Sequence, residues 1–211
     1  MRVAGESQTP SPSERAELME RVLGLASTAP TGAPSWFVLA GSLPPGLDPG
    51  FYCELATLVT AAGARVALDT DGEPLRRALK SEPQVLKPSV HELEALVGYP
   101  LRGRDAIVAA ARGLLKGGTE LIVVSMGTDG ALFLEDGRTV AATPPRVAVR
   151  TTVRAGDALM AGIVSARLRR LELAELARLA SSFALEAVTG RAAAEWLGKV
   201  LVEEVVVQNV D

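Results

Sequence analysis

The chain has 211 residues, of which 48% are hydrophobic, and it carries a formal net charge of −3. This length and hydrophobic share predict a single globular domain over residues 1–211, with residues 1–13 as a polar loop. The weakly acidic charge excludes the basic surface typical of nucleic-acid-binding proteins and a polybasic membrane patch. We therefore expect a cytoplasmic protein that binds neither nucleic acid nor membranes.

The longest uncharged run, residues 22–47, raises the question of a membrane span. Prolines interrupt it at four positions, so it cannot form one continuous helix. No basic segment precedes an apolar stretch at the first residue, as it would in a secretory signal. Cys53 is the only cysteine, which excludes an internal disulfide and predicts a thiol packed in an apolar helix.

Short apolar runs alternate with amphipathic segments in the first half of the chain. A helix over residues 14–25, with Ser13 as its cap, precedes this alternation. The predicted strands cover residues 36–40, 65–69, 84–87 and 120–125, and the predicted helices cover residues 51–62, 73–79, 91–97 and 104–116. This spacing predicts crossover connections, and therefore an α/β fold with an open, Rossmann-like parallel sheet and helices on both faces.

The pattern changes after Ser125. Asp136-Gly137 lies between apolar runs at residues 131–134 and 138–142, which predicts a β-hairpin. Residues 147–152 predict one more extended segment before the next helix. The sheet is therefore expected to continue beyond its parallel part.

The last part of the chain is predicted to be mainly helical. One helix starts at Asp157 and runs to residue 170, and a second covers residues 173–188. Residues 200–207 are β-branched and apolar with an acidic pair inside them. This composition fits either a strand or a last helix.

Polar residues stand where the apolar runs stop. They are Gly41-Ser42, Asp69-Thr70, Lys87 and Ser125-Met126-Gly127. In an open sheet of this kind, ligands bind beyond the carboxyl ends of the strands, so these residues are candidates for a site. For Asp69, a place in the site and a simple cap of the next turn fit the sequence equally well.

Residues 151–162 combine a β-like run, small residues and a helix that begins on an aspartate. The turn Arg154-Ala155-Gly156-Asp157 points several N–H groups and the positive end of a helix dipole at one place, with Asp157 beside it as a base. This arrangement is typical of phosphoryl-transfer sites. The alternative is that Asp157 is only a helix cap, because aspartate is favoured there.

Five motifs in chain order carry a family resemblance. They are Gly41-Ser42-Leu43-Pro44-Pro45-Gly46, Leu68-Asp69-Thr70, Lys87-Pro88-Ser89-Val90-His91-Glu92, Ser125-Met126-Gly127-Thr128-Asp129-Gly130 and Ala155-Gly156-Asp157. Together they resemble the PfkB group of ribokinase-like carbohydrate kinases, and the first motif is similar to its phosphosugar branch. The resemblance implies a ribokinase-like fold and ATP-dependent phosphorylation of a hexose phosphate, similar to fructose 1-phosphate, at a primary hydroxyl.

The resemblance also implies roles around the transferred phosphoryl group. Asp157 matches the catalytic base that takes the proton of the acceptor hydroxyl, and Ala155, Gly156 and the Asp157 amide match an anion hole. Gly41 and Ser42, with Asp157, match contacts to the sugar. These roles agree with what the turn itself suggests.

Further matches concern the nucleotide and the metal ion. The residues implied to surround ATP are Lys87, Ser125, Gly127, Asp129, Gly130 and Gly156. Glu92 matches a glutamate that organises Mg²⁺ and its waters, which suits a hard cation that keeps most of its hydration. Outside the resemblance, Lys87 is equally an ordinary strand-end lysine, Glu92 a solvated acid in a first helical turn, and the Ser125–Gly130 loop a plain turn.

Three departures from the family bear on activity. The chain matches about the C-terminal two thirds of a family member, which leaves out the first strands and a lid and exposes a sheet edge. This predicts association of copies through that edge or poor solubility. Arg154 replaces a glycine that suits positive φ or close approach of a phosphate, so it either obstructs the site or binds a phosphate itself. Ser89 replaces an asparagine and shortens its reach.

Three hypotheses follow from the sequence. The first is a sugar-phosphate kinase that uses ATP and Mg²⁺, with Asp157 as base and with activity reduced by the departures. The second is a non-catalytic nucleotide-binding remnant or interaction module. The third, a dinucleotide-binding oxidoreductase domain, ranks last, because Gly41-Ser42-Leu43-Pro44-Pro45-Gly46 lacks the required glycine spacing.

Overall fold

The computed structural model describes residues 9–28, 34–115, 117–148, 150–151, 154–190 and 205–210. The chain divides into two compact units, Met1–Pro83 and Gln84–Asp211. That they form one domain, as the composition suggests, stays a prediction. Within the described residues, no helix is long and apolar enough to cross a membrane.

The first unit is built around two parallel strands. Its elements are α1 (Pro12–Ser27), β1 (Trp36–Ala40), α2 (Phe51–Ala61), β2 (Arg65–Asp69), α3 (Gly72–Ala78) and a 3₁₀ turn (Leu79–Ser81). β1 pairs with β2 in parallel from Trp36↔Arg65 to Ala40↔Asp69. α2 connects these strands. It buries Leu55 and Val59, as expected for the apolar face of an amphipathic helix. Cys53 on this helix is only partly buried, so the prediction of a packed thiol was wrong.

The start of α1 differs from the prediction. The helix begins at Pro12, inside the segment predicted as a loop, and its cap is Ser11 instead of Ser13. The Ser11 hydroxyl accepts the Glu14 amide at 3.3 Å, and the Ser11 amide donates to the Glu14 carboxylate at 2.8 Å. This reciprocal capping box, with proline at the first helical position, decides where the helix starts.

The second unit carries five strands. Its elements are β3 (Val85–Leu86), α4 (Val90–Val97), α5 (Arg104–Leu115), β4 (Leu121–Ser125), a 3₁₀ turn (Gly127–Asp129), β5 (Ala131–Glu135), β6 (Arg138–Thr143), α6 (Ala155–Leu168), α7 (Leu173–Thr189) and β7 (Val206–Asn209). β3 and β4 are parallel, whereas β4–β5, β5–β6 and β6–β7 are antiparallel. The sheet is therefore mixed, and the predicted hairpin at Asp136-Gly137 is confirmed.

Both faces of this sheet are covered. Four consecutive residues of β5, from Ala131 to Leu134, are buried, although alternate side chains of a strand point to opposite faces. α5 and α7 both pack against β5. The expected α/β fold with helices on both faces is confirmed.

Two expectations about the end of the second unit are now decided. The described residues among 147–152 lie in no strand, because the Arg150 and Thr151 amides donate to the Val188 carbonyl near the end of α7 at 2.8 and 3.4 Å. The segment over residues 200–207 was left open between strand and helix. Its described part contributes to β7, a strand, and residues 200–204 lie outside the described residues.

α6 and α7 approach each other unusually closely at Gly162. A Cβ built on this glycine would lie 2.6 Å from the Ala180 Cα, which is closer than real Cβ contacts allow. Gly162 is buried in the helix pair, where the missing side chain lets the two backbones meet. The position of α6 is thereby fixed near its middle.

Candidate active site

Helix α6 starts two residues earlier than predicted. The helix begins at Ala155, with Arg154 as its N-cap, so Asp157 is its third residue and not its cap. The Arg154 carbonyl accepts the Ala158 amide at 2.9 Å, which is the first bond of the helical ladder. The interpretation of Asp157 as a simple N-cap is therefore wrong.

The first turn of α6 has amides available to an anion. No side chain caps this helix, and no described residue accepts the amides of Ala155, Gly156 or Asp157. Such amides lie at the positive end of the helix dipole, where negative charge is stabilised. The Asp157 side chain is exposed in the same turn. The turn can therefore place a carboxylate base beside a set of anion-binding amides.

Arg154 adopts a left-handed conformation, which is one of the two reasons given above for a glycine at this position. Its φ is +82° and its ψ is −3°, values that a residue with a Cβ rarely adopts. The side chain is exposed. A positive φ at this position is thus observed, and the arginine is accommodated there at a conformational cost.

The ends of β3 and β4 bring two sequence-predicted segments together. The Ser125 amide donates to the Pro88 carbonyl at 3.0 Å, and Ser89 and Ser125 form a parallel β-bridge. Lys87, at the end of β3, is only 5% exposed. Lysine is rarely buried so deeply without a partner. The burial of Lys87 therefore distinguishes it from an ordinary strand-end lysine, whose side chain is solvated.

The loop after β4 contains two glycines with different environments. Gly130 has a φ of +90°, and a Cβ there would lie 2.0 Å from the Ala142 carbonyl oxygen of β6. Gly127 has a φ of +63° but no described atom within 4 Å of such a Cβ. Gly130 is therefore required by packing, whereas Gly127 and the exposed Asp129 leave room for a ligand.

Glu92 makes a structural contact that the sequence analysis missed. Its Oε2 accepts the Ser89 amide at 2.7 Å, while its own amide donates to the Ser89 hydroxyl at 3.2 Å. The signal was present, because a serine followed three residues later by a glutamate is a capping box. The second carboxylate oxygen is compatible with a hydrated cation. Among the described residues, no group of three acidic, histidine or cysteine side chains could enclose a metal ion.

Gly41 and Ser42 lie in the first unit, in a loop held by several hydrogen bonds. The Gly41 amide donates to the Asp69 carbonyl at 2.9 Å, and its carbonyl accepts the hydroxyls of Tyr52 at 3.0 Å and Thr70 at 2.9 Å. Gly41 has a φ of +94°, a conformation that strongly favours glycine. The backbone of the predicted substrate loop is therefore well defined.

Asp71 is a residue of this loop region that the sequence analysis overlooked. The Ser42 hydroxyl donates to Asp71 Oδ2 at 3.2 Å. Burial, with smaller contributions from Asp69 and Asp71, raises the pKa of Tyr52 above its usual value. Both carboxylates therefore lie within electrostatic reach of the loop. The only signal in the sequence was a second acid two residues after Asp69.

The arrangement defines a class of protein. An α/β fold whose helix α6 offers uncapped amides and an exposed aspartate is suited to transferring phosphoryl groups. Residues 20–197 match the sequence profile of the pfkB family carbohydrate kinases, and the chain belongs to this family. Membership in this family argues against the dinucleotide-binding oxidoreductase.

Several relatives resemble the chain over part of their length. It is 46% identical over 153 residues to the 1-phosphofructokinase of Rhodobacter capsulatus, with 72% of this chain and 48% of that protein covered. The 1-phosphofructokinase of Xanthomonas campestris pv. campestris is also 46% identical over 153 residues, with 70% and 48% covered. The chain thus spans about half the length of the curated relatives it matches.

A solved structure supports the same fold. Phosphofructokinase-2 of Escherichia coli, in complex with fructose-6-phosphate, superposes with a TM-score of 0.82 at 26% identity. The superposition covers 93% of this chain and 63% of that enzyme. The ribokinase-like fold implied by the motifs is therefore confirmed.

Proposed function

We propose that this chain takes part in ATP-dependent phosphorylation of a hexose phosphate, similar to fructose 1-phosphate, at a primary hydroxyl. Membership in the pfkB family and the identity to two 1-phosphofructokinases support the reaction class. The observation that carries the proposal is the start of α6, where uncapped amides adjoin the exposed Asp157 carboxylate. These groups are what an alcohol acceptor and a transferring phosphoryl group require.

In the proposed reaction, Asp157 acts as the general base. Its carboxylate takes the proton of the acceptor hydroxyl as the sugar oxygen forms a bond to the γ-phosphorus of ATP. The bond between that phosphorus and the bridging oxygen breaks, and ADP leaves with the bonding electrons. The amides of Ala155, Gly156 and Asp157 stabilise the negative charge on the transferring group.

The proposed nucleotide contacts come from the ends of β3 and β4. Lys87 supplies a positive charge for the phosphates, while Ser125, Gly127, Asp129 and Gly130 form the loop beside the nucleotide. Mg²⁺, when bound, neutralises phosphate charge during transfer. Glu92 would hold the waters of this ion through the carboxylate oxygen that does not accept the Ser89 amide.

A non-catalytic nucleotide-binding protein is the second candidate. The observation that favours it is Arg154, whose exposed side chain lies at the cap of the helix whose amides would stabilise the transferring phosphoryl group. A phosphate that approaches the α6 amides must share this space with the arginine. Nucleotide contacts from β3 and β4 do not depend on Arg154, so binding could persist without transfer.

Association through β1 is also proposed. The Ser35 carbonyl and the Gly41 amide bond to β2, so the alternate residues Trp36 and Val38 direct their backbone groups to the other edge. This part of the strand has no charged residue, and Val38 is 46% exposed. Within the described residues no strand pairs with this edge of β1, and open edges of this kind pair with other strands. Light scattering of wild type and Val38→Lys tests this, because a charge on the edge should reduce association.

The experiment for the main proposal is ADP formation with fructose 1-phosphate and ATP. Asp157→Asn should reduce the rate by at least about 100-fold, since a general base contributes roughly 10²–10⁴-fold. Asp136→Asn, an exposed aspartate in the β5–β6 turn, is the matched control and should leave the rate unchanged. Equal rates for wild type and Asp157→Asn would exclude the catalytic role of Asp157.

The two candidates differ in their response to ATP. Both predict that ATP raises the melting temperature, because a ligand that binds only the folded state stabilises it. Only the kinase also forms ADP with the sugar phosphate. Stabilisation without turnover supports the second candidate, and failure of ATP to stabilise the chain contradicts both.

A further inference from the structure

We propose that Thr9 is a positioning residue for the sugar phosphate, because it holds the middle of the substrate loop, residues 41–50, in the shape that binds this ligand. The inference rests on the proposed function, in which Gly41 and Ser42 at the start of the loop contact the sugar. Thr9 lies outside the five motifs, two positions before the N-cap of α1. All the residues involved belong to the first unit.

Two prolines leave the middle of the substrate loop with few hydrogen-bond donors. Pro44 and Pro45 have no backbone N–H, so this part of the loop is held mainly through its carbonyl oxygens. The Pro44 carbonyl accepts the Leu47 amide at 3.3 Å, which is a bond within the loop itself. The Pro45 carbonyl can be fixed in place only by a donor, which the prolines themselves cannot supply.

Thr9 supplies this donor. Its hydroxyl donates to the Pro45 carbonyl at 2.6 Å, across a separation of 36 residues. The side chain also packs on the next residue of the loop, since a Cβ built on Gly46 would lie 2.7 Å from Thr9 Oγ1 and 2.8 Å from Thr9 Cγ2. No other described residue outside the loop forms a hydrogen bond with residues 43–47. Thr9 is therefore the main external support of this half of the loop.

A stiff segment connects Thr9 to α1. Thr9 precedes Pro10, and the N-cap Ser11 precedes Pro12. A residue before proline favours extended backbone, as Ser11 shows with a ψ of 159°, and each proline fixes its own φ. Few conformations are open to such a segment, so the Thr9 hydroxyl has a well-defined position relative to α1.

α1 is in turn attached to the helix that follows the substrate loop. The Arg15 guanidinium pairs with the Glu54 carboxylate of α2 and lies 5.4 Å from the centre of the Phe51 ring. Phe51 is the first residue of α2 and comes directly after the loop. The same N-terminal element therefore supports the loop in its middle, through Thr9, and at its end, through Arg15.

The start of the loop is held independently of Thr9. Gly41 bonds to β2 and to the hydroxyls of Tyr52 and Thr70. Loss of the Thr9 hydroxyl would leave these bonds intact and would free only the half of the loop beyond Ser42. A loop that has to be ordered when its ligand binds lowers the affinity, because ordering reduces its entropy. Thr9 should therefore act on the affinity for the sugar phosphate and not on the chemical step.

Calorimetry and steady-state kinetics on the full chain test the proposal. Thr9→Val keeps a branched side chain and removes its donor. The dissociation constant and the KM of fructose 1-phosphate should rise about three- to tenfold, the range to which one net hydrogen bond corresponds. The kcat and the dissociation constant of ATP should stay within about twofold, because loss of binding common to the ground and transition states raises KM alone.

Two further variants provide the controls. Thr9→Ser keeps the hydroxyl and should bind fructose 1-phosphate as wild type does. Thr57→Val is the matched control, because Thr57 is an exposed threonine of the same unit whose hydroxyl donates to the Cys53 carbonyl within α2 at 2.8 Å. It removes a similar bond away from the loop and should change neither affinity.

The contact between Thr9 and Gly46 allows a second measurement. Gly46→Ala would place a methyl group against Thr9 Oγ1 and Cγ2 and should weaken the binding of fructose 1-phosphate. In a Thr9→Ala background these two atoms are absent, so Gly46→Ala should weaken binding less there. The strain of alanine at φ +81° is the same in both backgrounds and cancels. Additive effects would contradict the proposed contact.

Three results would overturn the proposal. These are an unchanged affinity for fructose 1-phosphate in Thr9→Val, an equal loss of affinity for fructose 1-phosphate in Thr57→Val, and a lack of measurable binding of this ligand to wild type. Failure of the kinase function gives a different pattern, in which the dissociation constants differ between variants as expected but no variant forms ADP. The two failures are therefore distinguishable.

Discussion

The Ser89 amide donates to Glu92 Oε2 while the Glu92 amide donates to the Ser89 hydroxyl, so the two residues form a capping box at the N-terminus of α4. This contact fixes the direction of the carboxylate that we propose for the waters of Mg²⁺. Ser89 also bridges to Ser125 at the end of β4. A serine at this position thus links the cap of α4 to the proposed nucleotide loop.

Two substitutions of Ser89 should distinguish its effect on helix capping from its effect on the Mg²⁺ requirement. Ser89→Ala should lower the free energy of unfolding by about 1 kcal/mol, because it removes an N-cap hydroxyl. Ser89→Asn should preserve stability, since asparagine is an equally good cap. Urea denaturation measures both values, and titration of ADP formation with Mg²⁺ shows whether only the alanine variant needs more metal. Equal stability of all three proteins would contradict the capping role.

Arg154→Gly should raise the rate of ADP formation while changing the free energy of unfolding by less than about 1 kcal/mol. Glycine relieves the left-handed strain at φ +82° but also increases the entropy of the unfolded chain, and these effects nearly cancel. The rate should rise because phosphate then approaches the α6 amides unobstructed. A lower rate would mean that the guanidinium assists phosphate binding.

Arg170 provides the matched control for this substitution. It is also an arginine with positive φ, at +56°, but it follows the far end of α6. Arg170→Gly should have a similarly small effect on stability and none on ADP formation. An equal increase in rate for both variants would show that relief of strain, and not access to the turn, is responsible.

The two glycines of the loop after β4 should respond very differently to alanine. Gly130→Ala should cost about 3 kcal/mol or more, because its Cβ would lie 2.0 Å from the Ala142 oxygen and the backbone would have to move. Gly127→Ala should cost only about 1–2 kcal/mol, the price of a left-handed alanine. Thermal unfolding measures the difference, and similar losses would contradict the assigned environments.

Tyr52→Phe should lower the free energy of unfolding by about 1 kcal/mol at neutral pH, because the hydroxyl bonds to the Ala40 and Gly41 carbonyls. Burial raises the pKa of Tyr52 in the folded state, so its stabilising effect is present below about pH 10 and is lost as the pH rises through the raised value. The difference between wild type and Tyr52→Phe should therefore shrink in strong alkali.

Tyr99 offers a comparison for this measurement. It is 56% exposed, and Tyr99→Phe should leave the free energy of unfolding at neutral pH unchanged. A gap between wild type and Tyr52→Phe that stays constant up to the highest pH tested would contradict the predicted linkage.

The sequence predicted the apolar strands well and the helix starts less well. β1 and β2 have the expected bounds, because fully apolar or alternating runs end at a glycine or an acid. α1 and α6 start earlier than expected, because a capping box at Ser11 and a left-handed Arg154 set their first residues. Cap geometry depends on backbone angles that hydrophobic periodicity does not encode.

The candidate site was predictable only in part. The order of the motifs identified the turn before Asp157 and its proposed anion-binding amides. It did not reveal that Asp71 bonds to Ser42, because the contact joins residues 29 positions apart and depends on one side-chain rotamer. The sequence also did not show which glycine of the nucleotide loop is required for packing. The clash at Gly130 comes from the neighbouring strand, which the local sequence does not reveal.

The close contact at Gly162 has a mechanical consequence for the turn that opens α6. Because the helix touches Ala180 through its backbone there, it cannot slide along α7, and any motion must be a tilt about this point. Gly156 lies six residues away, about 9 Å along a rigid helix, so a small rotation at the pivot becomes a displacement of the amides. Gly162, although far from the proposed chemistry, therefore determines how accurately those amides are positioned.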